Sequence, residues 1–275
     1  MAVPVTRTKI IVPQPRPELL SRPRLLKMME DLLDYPITLI SAPAGYGKTS
    51  LLIDFAQQAE HPVCWLKIDS LDQDITRFLY HLTASINAEF PACGNRTFSA
   101  IDNSENIAKD QDQIVRILVN DIYDNISEHF VMILDDFHLV NVEPLIVNFI
   151  NHLTQDMDDN CHLILSSRTQ ITLPDLPLMV GRSEVKAIGY DELAFQAKEI
   201  QELLTQKHCQ EISTTESQSI AKKTEGWITG LLLSLETTTP VPVQTRTSRV
   251  TGVNLFNYLA QQVFEKQPKQ IRDFL

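Results

Sequence analysis

Short, almost purely apolar runs alternate along this chain with stretches whose apolar residues recur every three or four positions. Residues 36–41 (Pro-Ile-Thr-Leu-Ile-Ser), 63–68, 130–135 and 162–166 are runs of the first kind. Nearly continuous apolar strands are what a parallel sheet buried on both faces requires. Between them, residues 49–59 place Leu51, Leu52, Phe55 and Ala59 at helical spacing, and residues 111–126 do the same with Ile114, Ile117, Leu118 and Ile122. Helices are also predicted over 74–90 and 145–153. The alternation predicts an α/β fold, a parallel sheet with helices on both faces. A helix over 24–33, with Pro23 at its first turn and Leu25, Leu26, Met29 and Leu32 on one face, is expected ahead of the first strand. Residues 91–109 carry no period and are expected to be loop.

The two ends read differently. Seven of the fifteen prolines fall within the first 43 residues, so 1–23 is predicted to be an extended lead-in and 24–190 the α/β domain. After residue 190 the strands stop. Helical patterns over 195–207, 214–224 and 226–235 suggest a small helical domain spanning 191–237. Residues 238–252, with no acid and little period, read as a linker, and 253–275 as the start of a further helical domain. The pattern breaks off in mid-helix at Leu275, which suggests a piece of something longer.

Composition narrows the function classes. Lys and Arg number 24 against 35 Asp and Glu, a formal charge of −11, which argues against a grip on nucleic acid through the overall field. Hydrophobic residues at 43% with 21% charged describe a globular chain. No apolar run approaches a membrane span, and the first residues have no signal-peptide core. Cys64, Cys93, Cys161 and Cys209 are widely spaced, so they are read as buried thiols in a reducing cytoplasm.

The chemistry concentrates in Ala42-Pro43-Ala44-Gly45-Tyr46-Gly47-Lys48-Thr49-Ser50, which follows a predicted strand and opens a predicted helix. That is the context of a Walker A loop, although Ala42 stands where the strict pattern has glycine. Gly45 and Gly47 let backbone N–H groups approach phosphate, Lys48 would bridge the β- and γ-phosphates, and Thr49 would bind Mg²⁺. Residues 131–136 form the matching Walker B strand: Asp135 would hold Mg²⁺, and Asp136 would polarise the attacking water. One methylene shorter than the usual Glu, Asp136 predicts slow hydrolysis. Arg168, at the carboxyl end of a third strand, could face the γ-phosphate. Arg22 and Arg24 are candidates for contact with a base, His138 reads as a loop histidine, and Trp227 reads as an aromatic packing anchor.

These residues resemble the nucleotide-binding module of MalT-like regulators, members of the STAND class of signalling ATPases. The resemblance is carried by Thr8-Lys9, residues 21–26 (Ser-Arg-Pro-Arg-Leu-Leu), the loop 41–49, residues 134–138 (Leu-Asp-Asp-Phe-His), 166–168 (Ser-Ser-Arg), 193–195 and 225–227 (Glu-Gly-Trp). The missing first glycine is typical of that family. The resemblance implies an ASCE-type P-loop NTPase domain, a small helical domain and the start of a winged-helix domain. It also implies ATP or ADP with Mg²⁺ as cofactors and an approach of Arg22 to the nucleotide. Inducer and DNA would be bound by domains outside this chain, with self-association possible in the ATP state. Two other functions fit the motifs: a P-loop kinase acting on a small acceptor, and a non-hydrolysing nucleotide-binding interaction module. A kinase would need an arginine-bearing lid, for which residues 91–109 and 169–190 offer only Arg96 and Arg182.

Overall fold

The computed structural model describes residues 4–17, 19–208 and 212–232. Five strands, β1 (Ile37–Ser41), β2 (Val63–Lys67), β3 (Phe130–Asp135), β4 (Cys161–Ser167) and β5 (Val185–Ile188), form one sheet in the order β2-β3-β4-β1-β5. Every pairing is parallel, with Ile37 opposite Leu163 and Val185, and Val131 opposite Val63 and His162. All residues of β3 and β4 are buried, which is why those runs are apolar without alternation. The edge strand β5 buries only Ile188 fully, and its weak pattern escaped the sequence reading.

The helices are α1 (Pro23–Lys27), α2 (Lys48–Gln58), α3 (Ile75–Glu89), α4 (Asn95–Asn103), α5 (Ile107–Asn125), α6 (Pro144–Asp156), α7 (Leu176–Gly181), α8 (Tyr190–Leu193), α9 (Ala197–His208) and α10 (Thr214–Thr224). Two expectations are corrected. The helix predicted over 24–33 stops at Lys27, and a 3₁₀ turn over Leu32–Asp34 carries part of the remainder, though Leu25, Met29 and Leu32 are still buried. Residues 91–109, expected to be loop, contain α4 and the start of α5. Of α4 only Thr97 and Ile101 are buried, and polar bonds dock it. The buried Asp121 carboxylate accepts from the Gly94 N–H (2.9 Å), the Thr97 hydroxyl (3.2 Å) and Arg96 Nε (3.2 Å). Its apolar contribution is short, Ile101 in the core with Phe98 and Ala100 packed against it, too brief a stripe to stand out beside these polar bonds.

The lead-in is mostly extended but anchored. A 3₁₀ turn over Arg7–Lys9 buries Lys9, whose ammonium pairs with the fully buried Asp72 and lies 3.1 Å from Asp69. Asp72 also accepts from Arg77 Nε at 3.2 Å and faces His81 Nδ1 at 3.1 Å. The Thr6 N–H reaches His81 Nε2 at 3.2 Å; an amide can only donate, so Nε2 accepts and Nδ1 carries the proton toward Asp72. Burial pushes the Asp72 carboxyl up, but the bonds from His81 and Lys9 outweigh it and hold the group well below the usual range.

The chain divides into two compact units, residues 1–43 with 47–193, and residues 44–46 with 194–275. The first contains the whole sheet. In the second, α9 packs against α10, which opens on a capping box between Ser213 and Glu216. Helical backbone follows at 228–232; the rest of the helix predicted over 226–235, the linker 238–252 and the segment 253–275 lie outside the described residues. Among the described residues no helix is long and apolar enough to cross a membrane. Cys64, Cys93 and Cys161 are buried free thiols, and burial pushes Cys93 and Cys161 up to about 12. Cys209 lies outside the described residues.

At the amino ends of β3 and β4, His162 Nδ1 faces the Tyr35 carbonyl at 3.2 Å, so it carries the proton and Nε2 accepts from His129 Nδ1 at 3.0 Å. Burial lowers the His162 pKa first of all, with His129 and His61 adding to the shift. The unfolded chain therefore takes up this proton before the folded one. The resulting stability is complete above about pH 6.5 and is lost as pH falls through the folded value. The thermal midpoint is expected to drop between pH 7.5 and 5.5, and His162→Asn to flatten that drop in a pH series of melting curves.

Candidate functional site

In a parallel sheet all strands end at the same edge, so the segments leaving β1, β3 and β4 meet there. After β1, Ala42 is buried and its N–H bonds the Ser167 carbonyl of β4 at 3.3 Å. The chain then turns through Gly45 (φ +87°) and Gly47 (φ +82°), both left-handed, and enters α2. No side chain caps α2, so its first N–H groups are available to an anion.

Lys48 is buried and folds back over the start of the loop, donating to the Ala42 carbonyl at 2.6 Å and the Pro43 carbonyl at 3.1 Å. Burial, and then the nearby Arg168 charge, lower its pKa to about 8 against the opposing pull of Asp136 and Asp135. One residue on, the Thr49 hydroxyl lies 3.0 and 3.2 Å from the two carboxylate oxygens of Asp135, the last residue of β3. Asp135 is fully buried. Burial pushes its pKa up, as does Asp136, while bonds from Ser166 and Thr49 pull the other way.

Asp136 leaves β3 with φ +62°, a conformation uncommon for a residue with a side chain. It caps the following 3₁₀ turn without a side-chain bond, so its carboxylate is turned to other groups. Arg168 Nε stands 3.6 Å from it and His138 Nδ1 3.7 Å. The structure thus brings Lys48, Thr49, Asp135, Asp136 and Arg168 together, with Arg168 beside the second acid. Pro43 and Ser50 are exposed flanks. Arg22 is buried: Nη1 donates to the Leu193 carbonyl at 2.9 Å, and the Arg22 N–H reaches Asp54 of α2 at 3.4 Å.

Two contributors went unassigned in the sequence reading. Ser166, fully buried in β4, donates to Asp135 Oδ1 at 2.5 Å and accepts the Asp136 N–H at 3.2 Å. It thereby holds both acids at once. A serine in a wholly buried strand, one residue back from its end, was the available signal. In the second unit, Trp227, expected only to pack, donates Nε1–H to the Ala44 carbonyl at 2.9 Å.

The donor set fits a hard, oxygen-ligated cation at Thr49 and Asp135, next to an ammonium, a guanidinium and a helix N-terminus suited to phosphate. The buried carboxylate takes its hydrogen bonds from hydroxyls, which leaves its negative charge for such an ion. The arginines considered for a kinase lid are engaged away from this edge, Arg96 with Asp121 and Asp124, and Arg182 with Glu184.

With β4 inserted between the loop-bearing strand β1 and the acid-bearing strand β3, the fold is that of an ASCE-type P-loop NTPase. No family model matches the chain. Over 262 residues it is 28% identical to the HTH-type transcriptional regulator MalT of Yersinia pestis, covering 92% of this chain and 28% of that protein. The MalT of Vibrio cholerae is 27% identical over 264 residues with the same coverage. The chain therefore spans little more than a quarter of the length of these relatives. Among solved structures, a Walker-type ATPase of Pyrococcus abyssi aligns at a TM-score of 0.49 with 15% identity, covering 80% of this chain and 68% of that one.

Because Ser166 serves both acids from a buried position, Ser166→Ala should cost roughly 1–3 kcal/mol, the cost of leaving buried polar groups unsatisfied. Chemical denaturation of the two proteins measures the difference.

Proposed function

We propose that this chain is the ATP-binding, slowly hydrolysing switch module of a MalT-like transcriptional regulator, resting with ADP and active with ATP. One observation carries the reading: Thr49 and Asp135 stand within hydrogen-bonding distance, Lys48 beside them, where β1 and β3 end. The similarity to MalT along nearly the whole chain supports the regulatory context.

In this reading the N–H groups of the loop and of the start of α2 receive the phosphates, and Lys48 moves from its carbonyls to bridge the β- and γ-phosphates. Thr49 and Asp135 would hold Mg²⁺, which would supply charge neutralisation on the phosphate oxygens. Asp136 orients the attacking water and accepts its proton as phosphate leaves ADP. Arg168, paired with Asp136 here, reports the γ-phosphate by exchanging one anion for another. A ligand shifts such a switch only by its differential affinity for the two states. Inducer recognition and DNA binding belong, in this reading, to other parts of a longer protein.

Calorimetry with ATP and Mg²⁺ should show binding to the wild type and a loss of roughly 10- to 100-fold in Lys48→Ala, the range for a charge-assisted contact. Equal affinity in both would remove the site assignment. Asp136→Asn should slow ADP formation by roughly 100-fold or more while ATP still binds, as expected when a general base is lost. Unchanged turnover would take Asp136 out of that role, and no ADP from the wild type after long incubation would favour a non-hydrolysing module.

A further inference from the structure

The second unit contains the tip of the phosphate loop, Ala44–Tyr46, together with the segment Gly226-Trp-Ile-Thr-Gly230. Trp227 Nε1 donates to the Ala44 carbonyl at 2.9 Å, and the N–H and hydroxyl of Thr229 both reach the Gly45 carbonyl at 3.3 Å. The packing is close. A Cβ on Gly45 would come within 2.5 Å of both Thr229 Oγ1 and Trp227 Nε1, and one on Gly230 would collide with the Trp227 ring. Glycine on both sides is what lets the indole lie against the loop.

Elementary peptide geometry gives these bonds a consequence. Among the described residues no peptide is cis, and in a trans peptide the C=O of one residue and the N–H of the next point in opposite directions. Holding the Ala44 carbonyl therefore aims the Gly45 N–H away from Trp227. Holding the Gly45 carbonyl aims the Tyr46 N–H away from Thr229. Both amides belong to the phosphate loop, where glycine at φ +87° would otherwise let the peptide planes turn freely.

We infer that Trp227 and Thr229 are positioning residues for nucleotide binding, fixing the two peptide planes at the tip of the loop so that their N–H groups are preset for polyphosphate. This rests on the reading of the loop as a nucleotide site. The preset amides belong to the cradle itself rather than to a γ-phosphate contact, so ATP and ADP gain equally.

The test uses the full chain and two variants. Trp227→Phe keeps an aromatic ring but removes the N–H along with part of the indole, and Thr229→Val removes only the hydroxyl, so it isolates one bond to the loop. Each is expected to raise Kd for ATP and for ADP by the same factor, roughly 3- to 10-fold, as for one lost hydrogen bond. In turnover assays KM should rise while kcat holds. In the nucleotide-free Trp227→Phe protein, the Gly45 and Tyr46 amide resonances should shift or broaden, with the melting temperature close to wild type. Thr229→Ser should restore the affinity that Thr229→Val loses. If the wild type binds and both variants bind as tightly, with the two amide resonances unmoved, the inference is overturned. An effect confined to ATP also overturns it, since that would place the contact at the γ-phosphate. A wild type that binds neither nucleotide would instead overturn the site reading itself.

Discussion

A carboxylate buried at the end of a strand is expensive to keep ionised, and the whole carboxyl edge of this sheet is arranged around one. Asp135 is fully enclosed, with burial and a neighbouring acid both pushing its pKa up. Hydroxyls from two other elements answer that cost, Thr49 at the start of α2 and Ser166 near the end of β4. Those bonds tie β3 to the segment that follows β1 and to the strand lying between them. Ser166 also takes the backbone N–H of Asp136, so the left-handed turn after β3 and the charge before it share one anchor. The loop, the acids and Arg168 are held together because one buried charge needs all three segments.

The parts of this arrangement that follow from apolar pattern were legible in advance. The β1 to β4 runs, the loop at Gly45–Thr49 and the acids at 135 and 136 could be read because buried parallel strands are uniformly apolar and phosphate chemistry demands glycine, lysine and hydroxyl in a fixed order. What escaped was held by polar bonds. Helix α4 is short, its apolar face is limited to Phe98, Ala100 and Ile101, and Asp121 fixes its start through polar bonds that no local pattern marks. Strand β5 lies at an edge and buries little. The indole hydrogen bond of Trp227 pairs residues 183 positions apart, and nothing local marks it. Lys9 looked like part of an extended lead-in; its burial against Asp72 depends on a partner in another element.

The lead-in illustrates how a segment with few apolar residues can still be specified. Its 3₁₀ turn is fixed by Lys9 on Asp72 and by the Thr6 amide on His81, with Arg77 completing the set. A buried group of this kind contributes position more than net stability, because desolvation offsets much of the attraction. Its effect is to fix a proline-rich segment in one position against β2 and α3.

The folded-back Lys48 also ties down the start of its own loop. Its ammonium is already engaged by the Ala42 and Pro43 carbonyls, so an arriving anion must replace those bonds before it gains the lysine. The resting lysine thus braces the start of its own loop, and in the proposed function the nucleotide would take over the charge that these two carbonyls now hold.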